Sequence, residues 1–241
     1  MEMAKRLLLI STSTVHGSGY LDYCADDLAK FLSNDTQVLF IPYARPSGIS
    51  HAEYTELARE RFARMGLELV GVNETSRPLE AIQNSQSLFI GGGNTFLLLR
   101  DLYTAGLLDT IRQRVAAGMP YVGTSAGSNL AGLTIGTTND MPIVLPPSID
   151  ALGLVPFNIN PHYLDPDPDS THKGETRETR INEFHVINEQ PVVGLREGAW
   201  LHVNDGLVQL SGDNGARLFR QGLRPEEYRP GSRLDFLLEP H

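Results

Sequence analysis

The chain has 241 residues, which is long enough to bury a full hydrophobic core and fits one ordinary α/β domain. It carries 20 Lys and Arg residues against 29 Asp and Glu residues, for a formal net charge of −9, and it has no basic run. This acidic balance argues against nucleic acid and anionic membranes as partners. We predict a single domain over residues 1–241.

The apolar runs and the cysteine count indicate the compartment. No run of about 18 apolar residues is present, so no transmembrane helix is predicted. The apolar run at 7–10 is too short for a signal-peptide core with a cleavage site behind it. The single cysteine, Cys24, rules out an internal disulfide framework and is predicted to be a buried small hydrophobe in a helix at 21–31. We therefore expect a cytoplasmic protein.

The first half of the chain alternates buried strands with helices. Continuous apolar runs predict strands at 6–11, 38–41, 67–72 and 87–90. Helical patterns between them predict helices at 21–32 and at 50–65, the second with Ser50 as its N-cap. This alternation is typical of a parallel sheet covered by helices on both faces.

Three glycines, Gly91 to Gly93, separate the strand at 87–90 from a helix predicted over 96–102. Backbone N–H groups exposed in such a turn can bind a phosphate or stabilise a developing oxyanion. The spacing is not Gly-x-Gly-x-x-Gly and no Gly-Lys-Ser/Thr follows, so the nucleotide interpretation is weak. An oxyanion hole is favoured because a candidate nucleophile, Ser125, ends the next predicted strand.

That nucleophile lies in Gly123-Thr124-Ser125-Ala126-Gly127, between an apolar strand and a helical run. In this context Gly-x-Ser-x-Gly lets the chain reverse so sharply that the serine is exposed at the tip of the turn. The amide of Ala126 would then face the atom that Ser125 attacks. The alternative is a structural turn that uses glycines and a serine N-cap.

The pattern changes after the helix that follows Ser125. Residues 134–161 are rich in Pro, Asp, Asn and Thr and are predicted to form a loop that closes on Asn160-Pro161-His162. A polar segment at 165–180 leads into a helix through 181–184. The last part is predicted to be antiparallel β with an irregular tail, with strands at 192–195, 199–203, 207–210 and 216–220.

A serine hydroxyl needs a base to take its proton, and that base needs an acid to orient it. Of the seven histidines, His162 is the preferred base because Pro161 stiffens the chain before it at the end of an apolar segment. The histidines and carboxylates show no metal-ligand spacing, so neither a metal nor a cofactor is expected. Spacing does not choose among the candidate acids, which are Asp140, Asp150, Asp165 and Glu197.

Five motifs together resemble the peptidase E family, the α-aspartyl dipeptidases of the serine peptidase family that also contains cyanophycinase. They cover nearly the whole chain in order, as Gly91-Gly92-Gly93-Asn94-Thr95, the serine turn at 123–130, Thr-Thr-Asn-Asp-Met-Pro-Ile-Val at 137–144, Asn160-Pro161-His162, and His-Lys-Gly-Glu-Thr-Arg at 172–177. The resemblance implies hydrolysis of dipeptides with an N-terminal aspartate. It also implies a mostly parallel sheet flanked by helices, like that of class I glutamine amidotransferases, with an antiparallel C-terminal extension.

The resemblance also implies roles for individual residues. Ser125 is the expected nucleophile and His162 the expected base. The backbone amides of Gly92 and Ala126 are the expected oxyanion donors. Glu197 is favoured as the residue that orients His162, and Asp140 is expected to be essential nearby.

Selecting aspartate over asparagine requires a cation facing the side-chain carboxylate, and arginine suits this because its planar fork can bind both oxygens. The segment 173–177 is the expected source, with Arg177 first. Arg177 could instead be a solvated charge at the start of a helix. Glu175 is assigned to the α-ammonium group of the substrate.

Three alternatives to an aspartyl dipeptidase stay open. A cyanophycinase-like enzyme would share the nucleophile and cleave an aspartate–arginine polymer. An α/β-hydrolase esterase would share the serine turn and the chain order Ser, Asp, His. A non-enzymatic module could bind an anion or a nucleotide at Gly91 to Gly93. The partner expected from the resemblance is a small peptide, and the protein is expected to be a monomer or a homodimer.

Overall fold

The computed structural model describes residues 5–33, 37–167, 169, 171 and 174–239. His172 and Lys173, two residues of the 172–177 motif, lie outside them. The strands are β1 (Arg6–Ile10), β2 (Gln37–Ile41), β3 (Glu68–Gly71), β4 (Ser87–Ile90), β5 (Tyr121–Thr124), β6 (Asn158–Tyr163), β7 (Val192–Arg196), β8 (Ala199–Asn204), β9 (Leu207–Gly212), β10 (Ala216–Phe219) and β11 (Glu226–Tyr228). The α-helices are α1 (Ala25–Phe31), α2 (His51–Arg64), α3 (Pro78–Asn84), α4 (Thr95–Thr104), α5 (Leu108–Ala116), α6 (Ala126–Leu130) and α7 (Arg177–Phe184).

The larger sheet has seven strands in the described part of the chain, in the order β3-β2-β4-β5-β1-β8-β9. Strands β1 to β5 pair in parallel, whereas β8 pairs antiparallel with both β1 and β9. The predicted α/β fold, with a mostly parallel sheet and an antiparallel C-terminal part, is confirmed. The C-terminal strands β8 and β9 continue the central sheet on the far side of β1.

Alternate residues of β1 belong to different parts of the hydrophobic core. Leu7 and Leu9 lie in one buried cluster, while Leu8 and Ile10 lie in another. Because successive side chains of a strand point to opposite faces, the sheet is buried on both sides here. This double burial explains why the strand is a continuous apolar run in the sequence.

A smaller sheet joins β11, β10, β7 and β6 in that order. Strand β6 pairs parallel with β7, and the other pairs are antiparallel. The loop prediction for 134–161 was therefore wrong at its end, since residues 158–161 pair with β7 and Ile159 is fully buried. The predicted irregular tail begins at the end of β11, which joins this sheet, and it contains a 3-10 helix at Asp235–Leu238 that places Leu237 in the core.

The helices follow the predictions with two adjustments. Ser50 forms the predicted N-cap of α2, in a capping box with Glu53. Helix α1 begins later than predicted because Leu21 has a φ of 56°, which is not helical. Cys24 is buried as predicted but precedes α1 as its N-cap.

Helices α3 and α5 have no counterpart among the predicted elements. None of the described helices is long and apolar enough to cross a membrane.

The strand order explains where a site can form. Strand β5 lies between β4 and β1, and all three run in the same direction. Their carboxyl ends therefore meet at one edge of the sheet, where the glycine turn follows β4, Ser125 follows β5 and Ser11 follows β1.

Candidate active site

Ser125 occupies a strained turn between β5 and α6. Its φ of 51° and ψ of −109° are unusual for a residue other than glycine. The turn needs glycine on both sides, because a Cβ at Gly127 would lie 2.2 Å from the carbonyl oxygen of Ile90 and one at Gly123 would lie 2.5 Å from that of Gly127. The sharp turn predicted from Gly-x-Ser-x-Gly is thus present.

His162 lies in an irregularity of β6. The register between β6 and β7 shifts between Pro161 and Tyr163, and His162 in between has a φ of 53°. This bulge turns the imidazole toward the serine turn of the neighbouring sheet. The Nε2 atom of His162 lies 3.0 Å from Oγ of Ser125.

Glu197 completes a chain of three side chains. It sits in the turn between β7 and β8, where Asn214 Nδ2 donates to its backbone carbonyl oxygen at 2.6 Å. Its Oε1 atom lies 2.7 Å from Nδ1 of His162. Among the four candidate acids that the sequence offered, Glu197 is the one whose carboxylate contacts the imidazole of His162.

Asp140 has a different set of partners. Its Oδ2 atom accepts hydrogen bonds from the backbone amide and the hydroxyl of Thr95, at 2.8 and 2.6 Å, and from the Thr138 hydroxyl at 3.0 Å. These contacts fix the carboxylate at the start of α4, beside the glycine turn. Asp165 pairs instead with Arg196, and Asp150 does not line the cavity around Ser125.

The backbone amides of the glycine turn are not engaged as predicted. The amide of Gly92 donates to the hydroxyl of the buried residue Tyr54 at 2.9 Å, so it is already engaged. The amides of Gly93 and Ala126 have no acceptor among the residues that the structure describes. Gly93 is held tightly, because a Cβ there would lie 2.1 Å from the carbonyl oxygen of Ala44.

A cavity of about 890 Å³ surrounds Ser125, His162 and Glu197. Arg177 lines it from the first turn of α7, where Thr176 is the N-cap. Burial and the neighbouring charge of Arg180 lower the pKa of Arg177, whereas the negative charge of Asp140 acts in the opposite direction.

The structure does not bring Glu175 to this cavity. Its carboxylate lies 3.6 Å from Nε of Arg180, and Glu175 is not among the described residues that line the cavity wall. Within the described part of the chain, no cluster of three or more His, Cys, Asp and Glu residues is arranged to hold a metal ion.

Comparison with known proteins places this arrangement in a family. The model of peptidase family S51 matches residues 7–211. The chain belongs to peptidase family S51.

Relatives of this S51 chain include curated proteins that match nearly all of it. It is 50% identical over 233 residues to the peptidase E of Streptomyces coelicolor, covering 97% of this chain and 95% of that protein. It is 46% identical to the probable alpha-aspartyl dipeptidase of Drosophila melanogaster, covering 99% of this chain and 100% of that protein.

Solved structures show the same fold at lower sequence identity. A peptidase from an acI-B1 actinobacterium superposes with a TM-score of 0.72 at 18% identity, over 97% of each chain. A putative peptidase E from Listeria monocytogenes has a TM-score of 0.65 at 22% identity, over 94% of this chain and 98% of that one. The S51 chain described here therefore shares its architecture with distant peptidases.

Three residues of this S51 site were missed by the sequence reading: Ser11, Arg45 and Tyr54. Ser11 follows β1, and Arg45 lies a few residues after β2. The carboxyl ends of parallel strands are where such groups are expected, so their position was the available signal. Tyr54 has no such signal, because it lies on the buried face of α2.

Proposed function

We propose that this chain is a serine dipeptidase that hydrolyses dipeptides with an N-terminal aspartate through an acyl-enzyme. The observation that carries the proposal is the continuous chain from Ser125 through His162 to Glu197, with separations of 3.0 and 2.7 Å. Nucleophile, base and orienting acid need this arrangement for acyl transfer. The names of the relatives, peptidase E and probable alpha-aspartyl dipeptidase, support the substrate class.

Acylation begins when Oγ of Ser125 attacks the peptide carbonyl carbon. Nε2 of His162 takes the hydroxyl proton, and Glu197 accepts the hydrogen bond from Nδ1 and so stabilises the imidazolium. The negative oxygen that forms on the carbonyl is assigned to the free amides of Gly93 and Ala126. One such donor typically contributes about 3 kcal/mol of transition-state stabilisation.

Collapse of the tetrahedral intermediate releases the leaving residue. His162 protonates the departing amine, which leaves the aspartyl group esterified to Ser125. A water molecule then loses a proton to His162 and attacks the ester carbonyl carbon. Free aspartate leaves, and Ser125 regains its proton.

Specificity for aspartate is assigned to Arg177 and Asp140. Arg177 forms no ion pair with any described residue, so its guanidinium is available to the β-carboxylate of the substrate. The Oδ1 atom of Asp140 accepts no hydrogen bond from the described residues, and we assign it to the α-ammonium group in place of Glu175. Asp140 and Arg177 both line the cavity, so their opposite charges can serve one bound amino acid.

We infer that residues 1–241 form one domain, because the buried hydroxyl of Ser11 at the edge of the larger sheet bonds to residues of β6 and β7 in the smaller one. The substrate is a small peptide rather than a nucleic acid or a membrane. A cytoplasmic monomer or homodimer fits this role, and gel filtration with light scattering measures the mass.

A substrate panel tests the function. The protein is expected to release aspartate from Asp-Leu and to leave Glu-Leu, Asn-Leu and Ala-Leu uncleaved, with EDTA present. No cleavage of any dipeptide by folded protein would contradict the proposal. Turnover of an aspartate–arginine polymer or of p-nitrophenyl esters in preference to Asp-Leu would favour a cyanophycinase-like enzyme or an esterase.

A further inference from the structure

Three arginines line the catalytic cavity in the described part of the chain: Arg45, Arg177 and Arg196. Arg196 is neutralised, because it bonds both oxygens of Asp165 at 2.7 Å and also pairs with Glu227. Neither Arg45 nor Arg177 forms an ion pair or a hydrogen bond with any residue that the structure describes. Two cations of the cavity are therefore available to carboxylates of a substrate.

Arg45 is anchored beside the glycine turn. The carbonyl oxygen of the preceding residue, Ala44, accepts the amide of Asn94 at 2.6 Å and packs against Gly93. The guanidinium carbon of Arg45 lies 4.4 Å from the centroid of the Tyr54 ring, and its Nε atom is buried without a partner among the described residues. Stacking on Tyr54 holds the cation near the amide assigned to the oxyanion.

Arg45 and Arg177 reach the cavity from different parts of the fold. Arg177 is on α7, within the electrostatic influence of Asp140, whereas Arg45 is on the loop after β2. Arg45 also borders an adjoining groove formed mainly by residues 46–52. This groove, which shares Arg45 with the cavity, offers space for the side chain of a second residue.

We propose that Arg45 binds the C-terminal carboxylate of the leaving residue and so selects dipeptides over longer peptides. The inference rests on the proposed function. A dipeptide of the form Asp-Xaa carries a β-carboxylate, an α-ammonium and a terminal carboxylate, and Arg177, Asp140 and Arg45 supply one opposite charge for each. A longer peptide places an amide where the terminal carboxylate would lie, which leaves the cation of Arg45 without an anion.

Kinetics with Asp-Leu and with Asp-Leu amide, which lacks the terminal carboxylate, test this role. The wild type is expected to prefer Asp-Leu by about 10- to 100-fold in kcat/KM, mostly through KM, as for a charged hydrogen bond. Arg45→Met, which keeps an apolar chain against Tyr54, is expected to lower kcat/KM for Asp-Leu by a similar factor and for the amide by less than about threefold. Arg45→Lys keeps the charge without the planar fork, so its preference for Asp-Leu over the amide should lie between that of the wild type and that of Arg45→Met.

The matched control is Arg77→Met, which removes an exposed arginine that does not line the cavity. It is expected to keep the wild-type values for both substrates, since an exposed charge contributes little at a distance. Melting temperatures of all variants report whether they fold. If Arg45→Met does not fold, the preference measured for Arg45→Lys decides.

Two outcomes would overturn the proposal for Arg45. Equal losses on Asp-Leu and its amide in folded Arg45→Met would show that the terminal carboxylate is not its ligand. Loss of the preference for Asp-Leu over Asn-Leu would assign Arg45 to the aspartate side chain instead. Wild-type protein that cleaves neither substrate would contradict the proposed function itself, and the role of Arg45 with it.

Discussion

The backbone amide of His162 donates a hydrogen bond to the hydroxyl of Ser11 at 3.0 Å, and that hydroxyl donates to the carbonyl oxygen of Leu195 at 2.7 Å. Ser11 is fully buried and directly follows Ile10, whose carbonyl oxygen accepts the amide of Ser125 at 3.0 Å. The end of β1 therefore holds the backbones of Ser125 and His162, and each of these two residues has a positive φ.

Removal of the Ser11 hydroxyl is expected to slow catalysis. Ser11→Ala leaves the His162 amide without its acceptor and frees the bulge, so we expect kcat for Asp-Leu to fall by about 10- to 100-fold with little change in KM. The control is Ser87→Ala, another fully buried serine, whose hydroxyl contacts Gln37 at the other end of the sheet. A loss of thermal stability in Ser11→Ala with wild-type kcat would contradict the positioning role.

The hydroxyl of Tyr54 is expected to matter for the glycine turn. Tyr54→Phe leaves the buried amide of Gly92 unpaired, which costs about 1 to 3 kcal/mol of stability and lets the neighbouring amide of Gly93 shift. We expect kcat to decrease about tenfold, because oxyanion donors act in the transition state. Tyr103→Phe removes a hydroxyl bonded to Asp150 outside the cavity and serves as control. Unchanged kcat in Tyr54→Phe would remove this residue from the site.

Glu197 and Asp140 are expected to give different kinetic signatures. Glu197→Gln keeps the shape of the side chain but presents the wrong hydrogen-bonding partner to Nδ1 of His162, so kcat should fall by about 10³- to 10⁴-fold. Asp140→Asn should mainly raise KM, since its carboxylate lies at the start of α4 and does not contact the imidazole. The same steady-state assay separates the two, and a larger kcat loss in Asp140→Asn would reverse their roles.

The single cysteine is expected to be inert in the folded protein. Burial raises the pKa of the Cys24 thiol to about 12, so at pH 8 it stays protonated, and only above about pH 11 would a sizeable thiolate fraction form. Iodoacetamide at pH 8 should therefore leave both the thiol count and the activity unchanged until the protein is unfolded. Rapid inactivation of native protein by this reagent would point to a cysteine-dependent reaction.

Much of the fold could be predicted because local signals and burial agree. The strands of the parallel sheet are continuous apolar runs, since both faces are covered, and Ser50 with Glu53 marks the start of α2. Strand β6 was predicted as loop, because its Asn and Pro residues disfavour strands and pairing with β7 is a tertiary contact. Its two asparagines, Asn158 and Asn160, make hydrogen bonds to residues of the 134–139 segment, which only the folded chain brings beside them.

The sequence predicts the reacting groups of the site, but it does not predict the residues that hold them in position. Ser125 lies in a local turn motif, and His162 follows a recognisable Asn-Pro pair. Spacing along the chain does not choose between Glu197 and Asp140, because their positions relative to His162 depend on two sheets meeting. The resemblance favoured Glu197, and the structure brings its carboxylate to the imidazole. The amide of Gly92 was the expected oxyanion donor, but it donates to the hydroxyl of Tyr54, nearly forty positions earlier in the chain, and this contact has no local signal.

Hydrolysis of Asp-Leu by Ser125→Ala, measured as free aspartate beside the wild type, tests whether Ser125 is the nucleophile of an aspartyl dipeptidase. We expect the wild type to cleave Asp-Leu and the folded variant to lose at least about 10³-fold in kcat, because the hydroxyl that lies 3.0 Å from Nε2 of His162 is that of Ser125. A folded Ser125→Ala protein that cleaves Asp-Leu at a rate near that of the wild type would contradict this role of Ser125.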